Sequence, residues 1–185
     1  MSKGKLFVIS GASGVGKSTV LSHVMAARED LVFSVSATTR EPRPGEVDGV
    51  DYYFISRDAF EQMISRGEFL EYDEHHAVLY GTPRGQILEK MERSNVVLDI
   101  EPNGAFNVRA SGLDATLIFI MPPSREELER RLRSRGDTSP EQIKIRLERA
   151  NWEMDQSVHY DHVVVNDRVE TCAEEILKII ADTAD

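Results

Sequence analysis

A glycine-rich segment at residues 11–18 has the composition and spacing most suited to chemistry. Its sequence is Gly-Ala-Ser-Gly-Val-Gly-Lys-Ser, and it lies between an apolar run at residues 6–9 and a stretch whose apolar residues have helical spacing. Such glycines let backbone N–H groups turn inward around phosphate oxygens, and the N-terminus of the following helix adds positive charge. We therefore expect Lys17 to hold the phosphates of ATP and Ser18 to coordinate Mg²⁺. The alternative is a glycine-rich turn that binds nothing, which the strand before it and the helix after it disfavour.

Two arginines three residues apart, Arg40 and Arg43, form a second candidate site. They lie in a segment that is too rich in proline to be helical. Two guanidinium groups held close together can bind one phosphate group from two directions. Taken alone, the segment is equally consistent with a solvated basic loop.

Asp99 and a basic run near the C-terminal third are further candidates. Asp99 ends an apolar strand at residues 96–98, and the carboxyl edge of such a sheet is where ligands bind. There it can contact the water shell of Mg²⁺ and an acceptor, although a solvated acid at a strand end is the alternative. The basic run comprises the arginines at positions 130, 131, 133, 135, 146 and 149. Taken alone, such a run is more often a solvated helix face.

The elements that position these residues predict an α/β fold. Continuous apolar strands are expected at residues 6–9, 96–98, 116–120 and 163–165, with helices between and after them. Ser124 and Ser139 begin two of these helices as capping residues. Continuous apolar strands that alternate with helices favour a parallel sheet covered by helices on both faces.

The stretch between residues 32 and 80 has a different pattern. Short aromatic and alternating runs flank a small helix near residues 59–64, which predicts an inserted lobe with a small mixed sheet. Thr82-Pro83 is interpreted as an N-cap followed by proline at the first helical position, beginning a helix that runs toward Met91.

The length, net charge and cysteine count exclude several classes of protein. The 185 residues fit one domain, and the net charge of −10 makes the chain a poor partner for a nucleic-acid polymer. A single cysteine excludes an intramolecular disulfide. No apolar run is long enough to cross a membrane, and residues 1–5 lack a signal-peptide core, so we expect no membrane partner and a cytoplasmic location.

Together these residues resemble the guanylate kinase family. The resemblance covers nearly the whole chain in order, through residues 36–46, 51–54, 68–71, 80–82, 98–101, 130–149 and 165–167. It implies a single P-loop NTPase-type domain with its core at about 1–32, 82–124 and 158–185. A GMP-binding lobe at about 33–81 and an arginine-bearing helical lid at about 125–157 complete it. Pro102-Asn103-Gly104 and Arg168 depart from the usual family pattern.

The resemblance implies the reaction ATP + GMP giving ADP + GDP, with dGMP as a further acceptor, in purine nucleotide metabolism. The implied GMP-binding residues are Ser36, Arg40, Arg43, Tyr52, Glu71, Tyr80, Thr82 and Asp99. Within that set the arginines and tyrosines would bind the phosphate. Glu71 would accept hydrogen bonds from the guanine N1–H and 2-amino group, and Ser36 and Thr82 would complete recognition of the base.

The same resemblance assigns the donor side. The implied ATP-binding residues are Gly11, Ala12, Ser13, Gly14, Val15, Gly16, Lys17, Ser18, Thr19 and Asn166, with Asn166 at the adenine. Arg131, Arg135 and Arg146 would join Lys17 in catalysis by closing over the triphosphate, with residues 136–138 as the mobile turn. Mg²⁺ would bind Ser18 directly and Asp99 through water. Arg130, Arg133 and Arg149 are left as surface residues.

Two rival functions stay open at this point. A kinase of related fold that phosphorylates a sugar phosphate is disfavoured by the base-binding set Ser36, Glu71 and Thr82. A guanylate-kinase-like module that binds phosphorylated peptides without catalysis is disfavoured by the intact residues 16–18 and the lid arginines. The sequence leaves open whether the chain is a monomer or a homo-oligomer.

Overall fold

The computed structural model describes residues 4–75, 77–134 and 139–184. In chain order the strands are β1 (Leu6–Gly11), β2 (Leu31–Phe33), β3 (Ala37–Thr38), β4 (Tyr53–Phe54), β5 (Phe69–His75), β6 (Val78–Pro83), β7 (Asn95–Asp99), β8 (Ala115–Met121) and β9 (His162–Val165). The helices are α1 (Lys17–Ala27), α2 (Arg57–Ser65), α3 (Arg84–Met91), α4 (Pro102–Ala110), α5 (Arg125–Arg133), α6 (Pro140–Asp155) and α7 (Val169–Ala184), with a 3₁₀ turn at Gln156–His159. None of the helices in these ranges is both long and apolar enough to cross a membrane.

A five-stranded parallel sheet forms the centre of the fold, in the order β2-β7-β1-β8-β9. The four apolar residues of β1, Leu6 to Ile9, are all fully buried. Because successive strand residues point to opposite faces, both faces of the sheet must be covered. Helices α1 and α7 pack together, while α4 packs against β1 and β8. The predicted fold class is confirmed.

Two elements of the core were not predicted. β2 pairs with β7 at the edge of the sheet, but its three residues are too few to give a periodic signal in the sequence. α4 begins at Pro102 directly after Glu101, its N-cap residue. Proline at the first helical position was the local signal for this helix.

A second, four-stranded sheet in the order β4-β3-β6-β5 confirms the predicted small mixed sheet. β3 pairs parallel with β4, whereas the β3–β6 and β5–β6 pairs are antiparallel. A separate small apolar cluster supports this sheet. Its buried members are Ala37, Phe60 and Leu79, and the Phe60 ring stacks on Phe69 with centroids 4.3 Å apart. Since Phe60 lies on α2, this helix is held against the small sheet.

The interpretation of Thr82 as a helix cap was wrong. Thr82 pairs with Glu71 inside the β5–β6 ladder, so the strand continues through Pro83. Pro83 is the N-cap residue and α3 begins one residue later, at Arg84. The Thr82 hydroxyl donates to the Glu71 carboxylate, whereas the hydroxyl of an N-cap residue would accept a backbone N–H of the helix. Pairing of the two strands overrides the local Thr-Pro signal.

The two serine caps are confirmed. Ser139 and Gln142 form a complete capping box at the start of α6. Ser124 accepts the Glu127 N–H at 3.1 Å and begins α5, while the Glu127 carboxylate binds Arg130 and Arg131. These caps fix where the two arginine-bearing helices begin.

Candidate functional site

The glycine-rich segment between β1 and α1 borders a cleft of about 450 Å³, which we call the donor cleft because ATP is expected there. Its lining includes every residue from Gly11 to Thr19, together with Glu101, Ile145, Arg146, Arg149 and Glu153. Gly16 has a φ of 94°, and a Cβ atom there would lie 2.9 Å from Asn166 Nδ2. Only glycine fits both constraints. α1 begins at Lys17, so the unpaired N–H groups of its first turn meet this cleft.

Lys17 and Asp99 meet at the carboxyl edge of the sheet. β7 pairs directly with β1, which places Asp99, the last residue of β7, near the start of α1. The Lys17 ammonium group donates to the Asp99 carboxylate. Ser18 is exposed and lines both the donor cleft and a second cleft beside it. The structure therefore brings Lys17, Ser18 and Asp99 together at one edge of the sheet.

Asn166 lies beneath the glycine-rich loop. Its residue is 3% exposed, and its Nδ2 donates to the Val15 carbonyl at 2.8 Å. Its Oδ1 is buried and has no hydrogen-bond partner among the described residues. Arg131 donates to the same Val15 carbonyl and to the Asn166 carbonyl. These contacts tie α5 and the end of β9 to the loop.

The arginines that are expected to close over the triphosphate contact the glycine-rich loop in different ways. Arg146 lines the donor cleft, and its Nη2 lies 3.5 Å from Ser13 Oγ. Arg131 contacts the backbone of the loop and binds Glu127. Arg135 and residues 136–138 lie outside the described residues.

A second cleft of about 450 Å³, which we call the acceptor cleft because GMP is expected there, lies between the two sheets. Its lining comprises Lys17, Ser18, Ser36, Tyr52, Glu71, Asp73, Tyr80, Gly81, Asp99, Ile100, Glu101, Gly104 and Arg149. The lining it shares with the donor cleft is Lys17, Ser18, Glu101 and Arg149. The two clefts therefore meet beside Lys17.

Glu71 is a buried carboxylate in the wall of the acceptor cleft. It is 7% exposed, and the fully buried Thr82 donates its hydroxyl to Glu71 Oε1 at 2.5 Å. Burial raises the pKa of Glu71 to about 7, with Asp73 and Glu101 acting in the same direction and the Thr82 hydroxyl opposing them. A Cβ atom at position 104 would lie 2.8 Å from Glu71 Oε2. Gly104 thus leaves room for this carboxylate against the first turn of α4.

Arg40 packs against Tyr52 and is held by Glu46. Its guanidinium group binds both oxygens of Glu46, at 2.6 and 2.7 Å, and lies 5.0 Å from the centre of the Tyr52 ring. The Arg40 hydrogen bond lowers the pKa of Glu46 to about 2. The Tyr52 and Tyr80 rings meet edge to face at 6.0 Å. Arg43 is exposed, and its backbone N–H donates to Glu46.

Comparison with known proteins decides the family. The family model described as guanylate kinase matches residues 3–183. The chain belongs to the guanylate kinase family. It is 50% identical to the guanylate kinase of Thermus thermophilus over 179 residues, which are 96% of this chain and 81% of that protein. It is 49% identical to the guanylate kinase of Trichormus variabilis over 176 residues, 95% of this chain and 88% of that one.

A solved structure agrees with this membership of the guanylate kinase family. The crystal structure of guanylate kinase from Anaplasma phagocytophilum matches with a TM-score of 0.79 and 34% identity. The match covers 99% of this chain and 87% of that one. The arrangement of the two sheets is therefore one that a guanylate kinase adopts.

In this member of the guanylate kinase family, Arg149 is not the surface residue that the sequence suggested. Its side chain is 36% exposed, lines both clefts, and binds the carboxylates of Glu101 and Glu153. The interpretation failed because helical spacing alone does not show that α6 turns this face toward the glycine-rich loop. Glu153 was missed altogether. The i,i+4 spacing of Arg149 and Glu153 was the available signal.

Proposed function

We propose that the chain transfers the γ-phosphoryl group of ATP to GMP, and also to dGMP, giving ADP and GDP or dGDP. The observation that carries this proposal is the buried Glu71 carboxylate in a cleft that opens onto Lys17. Lys17 belongs to the glycine-rich loop at residues 11–18, which we call the phosphate loop. The donor cleft would hold ATP and the acceptor cleft GMP. Because both clefts share Lys17 and Ser18, the two reacting phosphates would meet there. The activity would serve purine nucleotide metabolism in the cytoplasm.

Guanine recognition would rest on hydrogen bonds to Glu71. A carboxylate accepts two hydrogen bonds side by side, which fits the N1–H and 2-amino donors of guanine. Thr82 fixes one carboxylate oxygen, and Ser36 lines the same cleft. Adenine presents an acceptor at N1, so it would face the carboxylate without a hydrogen bond. Sites built on such bonds reject the wrong base strongly because buried polar groups are left unpaired.

The acceptor phosphate would bind Tyr52 and Tyr80, with Arg40 and Arg43 supplying positive charge. The two tyrosines line the cleft, and Arg40 lies against the Tyr52 ring. Glu46 holds the Arg40 guanidinium group in a two-point hydrogen bond that fixes its orientation. We assign residues at about 33–81 to a GMP-binding lobe and those at about 125–157 to a lid.

A Mg²⁺ ion bound together with ATP fits the region beside Lys17 where the two clefts meet. The Ser18 hydroxyl and Asp99 carboxylate are hard oxygen donors lining one cleft, and Mg²⁺ takes few protein ligands because phosphate oxygens and water complete its shell. Ser18 would bind the ion directly and Asp99 through water. When bound, the ion supplies positive charge that offsets the charge of the phosphates. Asn166 Oδ1, buried without a partner among the described residues, would accept a hydrogen bond from the adenine amino group.

Catalysis would consist of positioning and electrostatic stabilisation. The attacking oxygen of GMP is already anionic, so no general base is required. Lys17 and Arg146, together with Arg131 and Arg135, would stabilise the charge on the transferred phosphoryl group. Closure of lobe and lid would exclude water and thereby limit hydrolysis of ATP.

Release of ADP in the presence of different acceptors tests the proposal. We expect release with GMP and dGMP, weak release with IMP, and little with AMP or ribose 5-phosphate. Preference for ribose 5-phosphate would instead support a sugar-phosphate kinase. Absence of GMP-dependent release, with GMP still bound in calorimetry, would support a binding module without catalysis.

A further inference from the structure

Glu153 is a buried carboxylate between α6 and the phosphate loop. Its residue is only 3% exposed. Its Oε2 accepts the backbone N–H of Ser13 at 2.7 Å, and its Oε1 accepts Arg149 Nε at 3.2 Å. A carboxylate removed from water is costly unless it is paired and hydrogen-bonded, so both contacts are needed to hold it there.

The contact with Ser13 fixes one side of the phosphate loop. The Ser13 amide points toward α6, and the Val15 N–H closes a turn on the Ala12 carbonyl at 2.9 Å. These two bonds set the path of the loop before it reaches Gly16 and Lys17. The conformation of the phosphate loop therefore depends on the position of the Glu153 carboxylate.

The contact with Arg149 extends this arrangement toward the acceptor cleft. Arg149 donates through its terminal nitrogen to Glu101, which is the N-cap residue of α4. Arg149 and Glu101 line both clefts. The path Ser13–Glu153–Arg149–Glu101 thus runs from the donor loop to the helix whose first turn lies against Glu71.

We propose that Glu153 is a positioning residue for the donor phosphates, which holds the phosphate loop to α6 through the Ser13 amide while Arg149 balances its charge and connects it to Glu101. The inference rests on the proposed function because it concerns the loop that binds ATP. Glu153 acts through backbone geometry and touches no reacting atom.

Glu153→Gln is the direct test because it keeps the size of the side chain. If the amide oxygen accepts from Ser13, the amide nitrogen faces the Arg149 Nε–H, donor against donor. If the amide is turned round, the Ser13 N–H loses its acceptor. We expect roughly a tenfold rise in the KM for ATP and in the Kd for ADP, from the loss of one charged hydrogen bond, with the KM for GMP within about twofold of the parent.

Glu148→Gln is the matched control. Glu148 lies on the same helix, is 66% exposed, and pairs with Lys144 at i,i+4 spacing. The same substitution there should leave the KM for ATP and the Kd for ADP within about twofold of the parent values, because an exposed pair of this kind contributes little. A purely structural defect in Glu153→Gln would lower Tm and the active fraction without changing the Kd of the folded molecules.

Arg149→Gln gives an independent readout and covers the case in which Glu153→Gln does not fold. It removes the same Arg149–Glu153 contact and should also weaken the binding of ADP. If the two residues act through one contact, the affinity of the double variant for ADP should be about that of the single variant with the lower affinity. Multiplication of the two single effects would show that they act separately and would overturn the link.

The outcomes separate this inference from the proposed function. Lack of GMP-dependent ADP release by the parent would contradict the proposed function, while ADP calorimetry on Glu153→Gln would still test the loop. An active parent with Glu153→Gln binding ADP at the parent affinity would overturn the role of Glu153 alone.

Discussion

Replacing Glu71 by glutamine tests whether this carboxylate selects the base. Thr82 donates to Oε1 of Glu71, and Oε2 lies beside Gly104, where no Cβ atom blocks it. With its amide oxygen on Thr82, the new amide nitrogen would face the donors of guanine. One charge-assisted hydrogen bond, worth about 1.5–3 kcal/mol, is lost. We expect kcat/KM for GMP to fall by roughly 10- to 150-fold.

A coupled ADP-release assay at saturating ATP measures this effect, and the KM for ATP should stay near the parent value. Glu74→Gln is the matched control because Glu74 lies on the same strand, is about half exposed, and pairs with Arg57 on the protein surface. Its kcat/KM for GMP should not change. If Glu71→Gln handles GMP like the parent, or if the parent accepts AMP as readily as GMP, Glu71 does not recognise the base.

Lys17, Arg43 and the proton of Glu71 can each be tested by one substitution. Lys17→Ala should abolish phosphoryl transfer while GMP still binds in calorimetry; transfer near the parent rate would refute the role of Lys17. Arg43→Ala should weaken the binding of GMP far more than the binding of ATP. Arg66→Ala, at an exposed arginine of the same lobe, should change neither affinity. Equal losses of affinity for both nucleotides would show that Arg43 does not bind the acceptor phosphate. The pKa of Glu71 is raised from 4.5 to about 7, so the native state holds its proton more tightly than the unfolded state and the free energy of unfolding declines as pH rises between those values. Glu71→Gln without nucleotide should therefore be more stable than the parent at pH 8, by up to about 3 kcal/mol in urea unfolding, but not at pH 4; equal stability at both pH values would contradict the raised pKa.

The parts of the site that the sequence predicted are those encoded by neighbouring residues. Lys17 and Ser18 follow a glycine pattern whose strand and helix are visible in the same twenty residues. Asp99 was predictable because the carboxyl ends of parallel strands meet at one edge, and β7 lies beside β1. The roles of Glu71 and Tyr52 came from the resemblance and not from periodicity. The two-residue strands β3 and β4 are too short for a periodic signal.

The parts that were missed depend on contacts between distant segments. Thr82 has the local signal of a helix cap, and only its pairing with Glu71 on β5 shows that it belongs to a strand. Arg149 is indistinguishable from its exposed neighbours until α6 is packed against the phosphate loop. The bond between Ser13 and Glu153 joins residues 140 positions apart. Such contacts follow from the tertiary arrangement, which a local pattern does not encode.

Tracing the transferred phosphoryl group tests the central claim most directly. Incubation of the parent with ATP labelled at the γ-phosphate and with GMP should move the label to the β-phosphate of GDP, one GDP for each ADP formed. Omitting GMP, or using Lys17→Ala, should leave the label in ATP. Label released as inorganic phosphate at the same rate with and without GMP, or carried by an acceptor other than a guanine nucleotide, would contradict transfer between the two clefts.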